Sequence, residues 1–333
     1  MKRLVQVFVM VGLVFLLVAC GSEGEEASSG DDSSSEKVYK IGATQIVEHP
    51  SLDRAFEGFQ AAFSDADIEA EFDFQTAQND QNNVKPISDG FVADGVDLIF
   101  ANSTPSALGA LQATSEIPIV FTSVTDAVDA GLVPSMEEAG DNITGVVDLH
   151  PDAIKETIAF IEDHFPGATI GTVYNAGEQN SVTQVDAVKA AAEGAGLAVV
   201  ERTVANSAEV QQAATTLVGE VDVFYIITDN TVVSALQSVV GVANDQDIPL
   251  IVGEPNSLGE GGFATFGIDY YTIGYRTGEM AIDILTGEKE VSEITPEIPP
   301  EMQLFINKGA AEEQGIEWNA AWDDTAQFVD TKE

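Results

Sequence analysis

The sequence predicts an α/β protein of two lobes, each a parallel sheet wrapped by helices, the two joined by hinge strands. Three observations predict it. From Val38 onward short apolar runs alternate with amphipathic stretches, the pattern of βαβ units. One such unit is stated twice: Val96-Asp97-Leu98-Ile99-Phe100-Ala101-Asn102-Ser103-Thr104 is echoed by Val221-Asp222-Val223-Phe224-Tyr225-Ile226-Ile227-Thr228-Asp229-Asn230-Thr231. Each copy leads into a helical pattern and then a further apolar run, Ile117-Pro118-Ile119-Val120 or Ile248-Pro249-Leu250-Ile251. Finally, about 297 residues remain from Lys37 on, enough for two domains of ordinary size.

Taken in order, the first lobe reads as strands at 39 to 45, 70 to 74, 97 to 101 and 117 to 122, with helices at 51 to 64, 80 to 94 and 104 to 114. His49-Pro50 suits the start of the first helix, with proline in its first turn. The second lobe repeats the order, with helices at 151 to 164, 180 to 195, 207 to 219 and 231 to 245. Its strands fall at 168 to 174, 197 to 203, 221 to 227 and 248 to 252. Gly259-Glu260-Gly261-Gly262 reads as a tight turn before a strand at 263 to 267. A helix at 270 to 286 closed by Gly287, a crossing rich in proline (Pro296, Pro299, Pro300) and a strand at 302 to 306 follow. This tail is too short for a third domain and is expected to shuttle between lobes, with crossings near Gly145, Gly253 and Thr286. The division is then 38–145 plus 254–286 for lobe 1 and 146–253 plus 287–333 for lobe 2.

Residues 1–20 read as a signal rather than as fold. Lys2 and Arg3 precede an apolar run from Val5 to Val18, and Leu17-Val18-Ala19-Cys20 places a small residue before the one cysteine of the chain. The run is shorter than the roughly 20 residues a membrane span needs. It resembles a bacterial lipoprotein signal, which implies lipidation at Cys20 and a lipid anchor in the membrane. Residues 21–37 form an acidic Ser/Gly tether, spanning roughly 20 to 24 Å as a flexible coil. Gly21 follows the cysteine, which points to a Gram-positive cell surface and an extracytoplasmic location.

The formal charge is −43, from 56 acidic and 13 basic residues, so a nucleic-acid partner is not expected. The acid is spread along the chain, as on a surface that stays soluble in brine, and a halophilic source is expected. A single cysteine and three scattered histidines, His49, His150 and His164, argue against a metal site. No Gly-x-Gly-x-x-Gly or Walker run is present, and no cofactor is expected.

In open parallel sheets ligands gather beyond the carboxyl ends of strands, and five strand ends here carry polar clusters. They are Thr44-Gln45-Ile46-Val47-Glu48-His49, Asn102-Ser103-Thr104, Ser123-Val124-Thr125-Asp126, Asn175-Ala176-Gly177-Glu178-Gln179-Asn180-Ser181 and Thr228-Asp229-Asn230-Thr231. Singly, each suits the N-cap of the following helix; five on one face exceed what capping requires. Helix starts favour a carboxylate, while Asp229, Glu178 or Asp126 favours an ammonium, so a zwitterion fits.

Gln45-Ile46-Val47-Glu48-His49-Pro50-Ser51-Leu52-Asp53, Phe56-Glu57-Gly58-Phe59, Asn102-Ser103-Thr104-Pro105, Val124-Thr125-Asp126, Gly131-Leu132-Val133, Asn142-Ile143-Thr144-Gly145 and Gly267-Ile268-Asp269-Tyr270-Tyr271 together resemble the ABC-transporter substrate-binding lipoproteins of the tryptophan/tyrosine-binding type. One departure is Ala127, where that family usually has proline after Val-Thr-Asp. The resemblance implies a type I periplasmic binding protein fold with Rossmann-like lobes. It also implies a non-enzymatic monomer that captures a small ligand, an aromatic amino acid (tryptophan, tyrosine or phenylalanine), and delivers it to an ABC permease.

On this reading Gln45, Asn102, Ser103, Thr104, Thr125 and Asp126 line the first wall of the cleft. Asn175, Glu178, Asn180, Ser181, Asp229 and Asn230 line the second, with Glu254 and Asp269 near the hinge. The ligand carboxylate is expected at the 103 to 104 turn and its ammonium near Asp229 or Glu178. Two other functions fit the same plan: a sensory lipoprotein, and a cleft hydrolase using Glu178 and Asp229 as an acid/base pair.

Overall fold

The computed structural model describes residues 37–299 and 302–332; the signal, Cys20 and all of the tether but Lys37 lie outside them. The first lobe holds β1 (Tyr39–Gln45), α1 (Pro50–Asp65), β2 (Ala70–Thr76), α2 (Gln81–Asp94), β3 (Leu98–Asn102), α3 (Thr104–Ala113), β4 (Ile119–Val124) and β5 (Ile143–Val147). Its sheet runs β2-β1-β3-β4-β5, parallel throughout. The second lobe holds α4 (Ala153–His164), β6 (Thr169–Tyr174), α5 (Gln179–Ala195), β7 (Ala198–Thr203), α6 (Val210–Leu217), β8 (Val223–Ile226), α7 (Asn230–Val233), α8 (Leu236–Asp245), β9 (Leu250–Val252) and β10 (Ala264–Gly267). The tail adds α9 (Tyr270–Thr286), β11 (Gln303–Ile306), α10 (Lys308–Glu313), α11 (Trp322–Thr325) and β12 (Gln327–Phe328). The second sheet runs β12-β11-β10-β9-β8-β6-β7, with β11 antiparallel to β10.

The doubled unit of the sequence is thus doubled in topology. β3 sits beside β1 as β8 sits beside β6, each at the point where the strand order reverses. Both are continuous apolar runs because both faces of a parallel sheet are covered. Leu98 and Phe100 pack with Phe59 and Phe63 of α1, whereas Ile99 packs with Phe91 of α2 and Ala107 of α3. In β8, Val223 and Tyr225 face the α4 and α5 side, and Phe224 and Ile226 face α6 and α8.

Where the chain changes lobes differs from the sequence expectation. Ile143–Val147 is a strand, not a crossing at Gly145; the chain leaves lobe 1 only at Asp148. β10 pairs with β9 and β11, so the stretch 254–267 belongs to the second sheet and not to lobe 1. The second crossing therefore falls at 268–269 rather than at Gly253. Beyond it α9 lies on α1, at a distance only glycine permits: a Cβ on Gly58 would stand 2.1 Å from the Tyr271 carbonyl oxygen, and one on Gly274 1.8 Å from that of Ala55. The segment after α9 stays with lobe 1, because Glu297 N–H donates to Gly145 O and Val147 N–H donates to Glu297 O. The last crossing follows it, past Thr286.

The helix expected at 231 to 245 is broken into α7 and α8. The Ser234 hydroxyl donates to the Thr231 carbonyl, and Ala235 N–H turns to Val232 O instead of continuing the ladder.

Candidate functional site

Six parallel-strand ends and two of the crossings contribute to one cleft. A cavity of ≈ 20 Å³ lies there, about the room of one water. From lobe 1 it is lined by His49 and Leu52 after β1, Thr104 after β3, and Ser123 and Thr125 at the end of β4. Lobe 2 contributes Asn180 after β6, Thr228, Asn230 and Val233 after β8, and Glu254 after β9. Asp148 and Tyr270 come from the first two crossings. Two turns on this face hold strained backbone: Ser103 has φ 133° and Ser123 φ 55°, values that disfavour residues with a Cβ.

Four lining residues present polar atoms that are sealed from solvent and without a partner: His49 Nδ1, Ser123 Oγ, Asp148 Oδ1 and Asn180 Oδ1. His49, Ser123 and Asn180 are each at least nine-tenths buried. Unmatched buried polar atoms are costly, so four around one cavity mark a place for a polar ligand. Burial pulls His49 down to about 4, against a side-chain contact with Asn230, so its ring is neutral at neutral pH. Burial pushes Asp148 up to about 6, although the Tyr270 hydroxyl donates to its Oδ2 at 2.6 Å and lowers it.

The other cleft carboxylates are already engaged. Glu178 Oε1 accepts from Thr231 N–H (3.1 Å) and hydroxyl (2.8 Å), and its Oε2 from the backbone and side-chain nitrogens of Asn230. Asp229 caps α7, accepting from Val232 N–H and from Asn175 N–H, both at 2.7 Å. Burial first, and the Glu178 charge second, hold Asp229 well above the usual carboxylate range. Glu254 caps the short turn Pro255–Glu260 through the N–H groups of Asn256 and Ser257, and burial raises it too. Among the described residues no group of three or more His, Cys, Asp or Glu side chains could hold a metal ion.

The lobes touch directly on both flanks of the cleft. Asn79 Nδ2 donates to Thr231 Oγ1 (3.1 Å) and Gln81 Nε2 to Gly177 O (3.2 Å). Across the other flank Gln179 Nε2 donates to Asp129 O (2.7 Å), Thr183 Oγ1 to Asp129 Oδ2 (2.7 Å) and Gln184 Nε2 to Thr125 Oγ1 (3.1 Å). The clamp is closed.

Comparison with known proteins agrees with this geometry. Residues 40–328 match the family model described as ABC transporter substrate binding protein. This chain belongs to that family. Family membership makes it a solute-binding protein and not an enzyme. A curated relative, the tyrosine-binding protein of Clostridioides difficile strain R20291, is 42% identical over 302 residues, covering 89% of this chain and 87% of the relative. Among solved structures, a conserved domain protein of Vibrio cholerae superposes with TM-score 0.84 at 36% identity, covering 89% of this chain and all of that one.

Two further solved structures are each matched over 88% of this chain and 100% of their own. A domain from Streptococcus pneumoniae in complex with L-Trp gives TM-score 0.82 at 32% identity. The ligand-free, open structure of a Clostridium difficile substrate-binding protein gives only 0.65 at 39% identity. The more similar sequence thus superposes less well, as expected when one clamp is closed and the other open. More distant sugar-binding relatives, at 12 to 17% identity, share the type I periplasmic binding fold alone.

Within this substrate-binding protein the expected site residues separate into three groups. Thr104, Thr125, Asn180, Asn230 and Glu254 line the cavity. Gln45, Asn102, Ser103, Asn175, Glu178, Ser181 and Asp229 stand behind it as supports. Asn102 Nδ2, for example, donates to Gln45 Oε1 (3.0 Å) and Leu52 O (2.7 Å), holding the first strand-end loop to β3. Asp126 and Asp269 are exposed caps, bonded to the N–H groups of Val128 and Asp129 and of Tyr271. Asp229 and Glu178, where an ammonium or the acid/base pair of a hydrolase was expected, do not line the cavity. Both carboxylates are buried against N–H groups of their own lobe.

Sequence reasoning did not choose His49, Leu52, Ser123, Asp148, Thr228, Val233 or Tyr270. His49, Ser123 and Thr228 lay in the polar strand-end clusters and could have been found. Asp148 follows a strand the sequence did not reveal, and Tyr270 a crossing it placed elsewhere.

Proposed function

We propose that the protein is the extracytoplasmic solute-binding lipoprotein of an ABC importer, anchored through Cys20, which captures an aromatic amino acid between its lobes and presents the closed form to a membrane permease. The observation that carries this reading is the sealed ring of unmatched polar atoms between two closed lobes. Relatives named for tyrosine binding and solved with L-Trp support the ligand class. Because the closed cavity is far smaller than such a ligand, capture begins from an opened clamp. Closure then adds the contacts of the second lobe, which is how binding energy shifts the conformational balance. The strongly acidic chain suits a surface kept soluble in salt.

Isothermal titration with L-tyrosine, L-tryptophan and L-phenylalanine tests the reading, with a sugar as control. At least one amino acid is expected to bind with Kd on the order of micromolar or tighter, about −8 kcal/mol. A response to the sugar and none to the three amino acids would overturn it.

A further inference from the structure

Resting on the reading that the ligand occupies this cleft, we infer that the group the site demands is a protonated amine, received by the free oxygen of Asp148, and that the ligand carboxylate is the dispensable charge. The lining contains no lysine or arginine, and its charged side chains are the carboxylates Asp148 and Glu254. Glu254 is turned into its own cap, with oxygens on Asn256 and Ser257. Asp148 is different. Its Oδ2 holds the Tyr270 hydroxyl, and its Oδ1 is sealed and unmatched. Asn180 Oδ1, equally unmatched, enters from lobe 2, where its own amide nitrogen already faces Glu178, Ser181 and Thr228.

Two of the four orphaned atoms are therefore obligate acceptors, and one of them carries charge. What such a pair lacks is a cation that only donates, and an ammonium has three N–H groups to share. A carboxylate entering alone would instead meet Asp148 and Glu254 in a desolvated cavity, where Ser123 Oγ is the one orphaned hydroxyl among the lining residues. The position of Asp148 adds a conformational consequence. It begins the first crossing, and its partner Tyr270 follows the second, so a cation held there engages both hinge segments at once.

The test compares three ligands of one skeleton on the unmodified protein by calorimetry at pH 7.5: L-tyrosine, tyramine without the carboxylate, and 3-(4-hydroxyphenyl)propionate without the amine. Loss of the amine is expected to cost about 100-fold or more in affinity, and loss of the carboxylate about tenfold. In Asp148→Asn, which keeps an acceptor for Tyr270, L-tyrosine and tyramine are expected to weaken together by about 100-fold with no fall in Tm. The propionate binding as well as L-tyrosine, or tyramine falling silent while the propionate binds, would overturn the inference. So would an Asp148→Asn protein of unchanged affinity. Should no aromatic ligand bind, the aromatic reading fails by itself. Matched leucine, isoamylamine and 4-methylpentanoate then judge the amine requirement, and silence of both amines overturns it as well.

Discussion

The turns after β3 and β8 occupy the same place in two sheets of the same strand order, yet they are built differently. Asn102-Ser103-Thr104 is uncharged and bent through a strained Ser103, and it brings Thr104 to the cavity. Thr228-Asp229-Asn230 carries a carboxylate, but Asp229 points into the start of α7 and Glu178 closes over the same helix from behind. The residues this turn presents to the cavity are its neutral flanks, Thr228 and Asn230. A charge in a strand-end turn is therefore not by itself a charge offered to a ligand. Where it sits relative to the helix N–H groups decides which of the two it serves.

Breaking lobe 2 at its support should show this most strongly. Glu178→Ala strands buried N–H groups of Asn230 and Thr231, and is expected to destabilise the protein by about 3 kcal/mol in denaturant unfolding. Asp229→Ala removes a cap and the acceptor of Asn175 N–H, for about 1 to 2 kcal/mol. Its ligand affinity should fall far less than that of Asp148→Asn. Loss of binding in Asp229→Ala with stability intact would erase the distinction between support and contact.

The exposed flank is predicted to matter less. Asp129→Ala takes away Oδ2, which accepts from Thr183 Oγ1 (2.7 Å) and from Gln179 Nε2 (3.2 Å), while leaving the Gln179 bond to the backbone carbonyl, and should raise the ligand off-rate about fivefold, near 1 kcal/mol, in stopped-flow measurements. An unchanged off-rate would show that this contact does not hold the clamp shut.

The smallest effect sharpens the contrast by pH. The folded ligand-free protein raises Asp148 from 3.8 to about 6, so its contribution to stability is full below 3.8 and is lost as pH climbs through 6. His49, lowered from 6.5 to about 4, acts with the opposite sign, contributing fully above 6.5 and losing that as pH falls toward 4. Glu254, raised by burial, and Tyr270 face the same cavity. Replacing one group isolates it: the Tm of Asp148→Asn relative to the parent should rise between pH 4 and pH 7. A constant difference would mean that Asp148 is not held up by burial.

Most of the alternation of strands and helices was legible because parallel strands buried on both faces are continuous apolar runs. β1 and α9 fall at the expected bounds, 39 to 45 and 270 to 286. Ile143–Val147 escaped because it is a five-residue run interrupted by Thr144 and Gly145, whose strand character comes from pairing with β4. The lobe to which β10 belongs is likewise a matter of partners in space, invisible in a four-residue run. The cleft was legible as a set of strand ends. Which residues face it was not, since Asp229 and Asp148 differ only in what lies beside them in the fold.

The crystal structure of the protein with L-tyrosine is the most direct measurement of this account. It should show closed lobes and the amino nitrogen within about 3 Å of Asp148 Oδ1, with Asp229 and Glu178 still bonded to the start of α7. An amino group seated on Asp229 or Glu178, or a ligand bound outside the cleft, would contradict it.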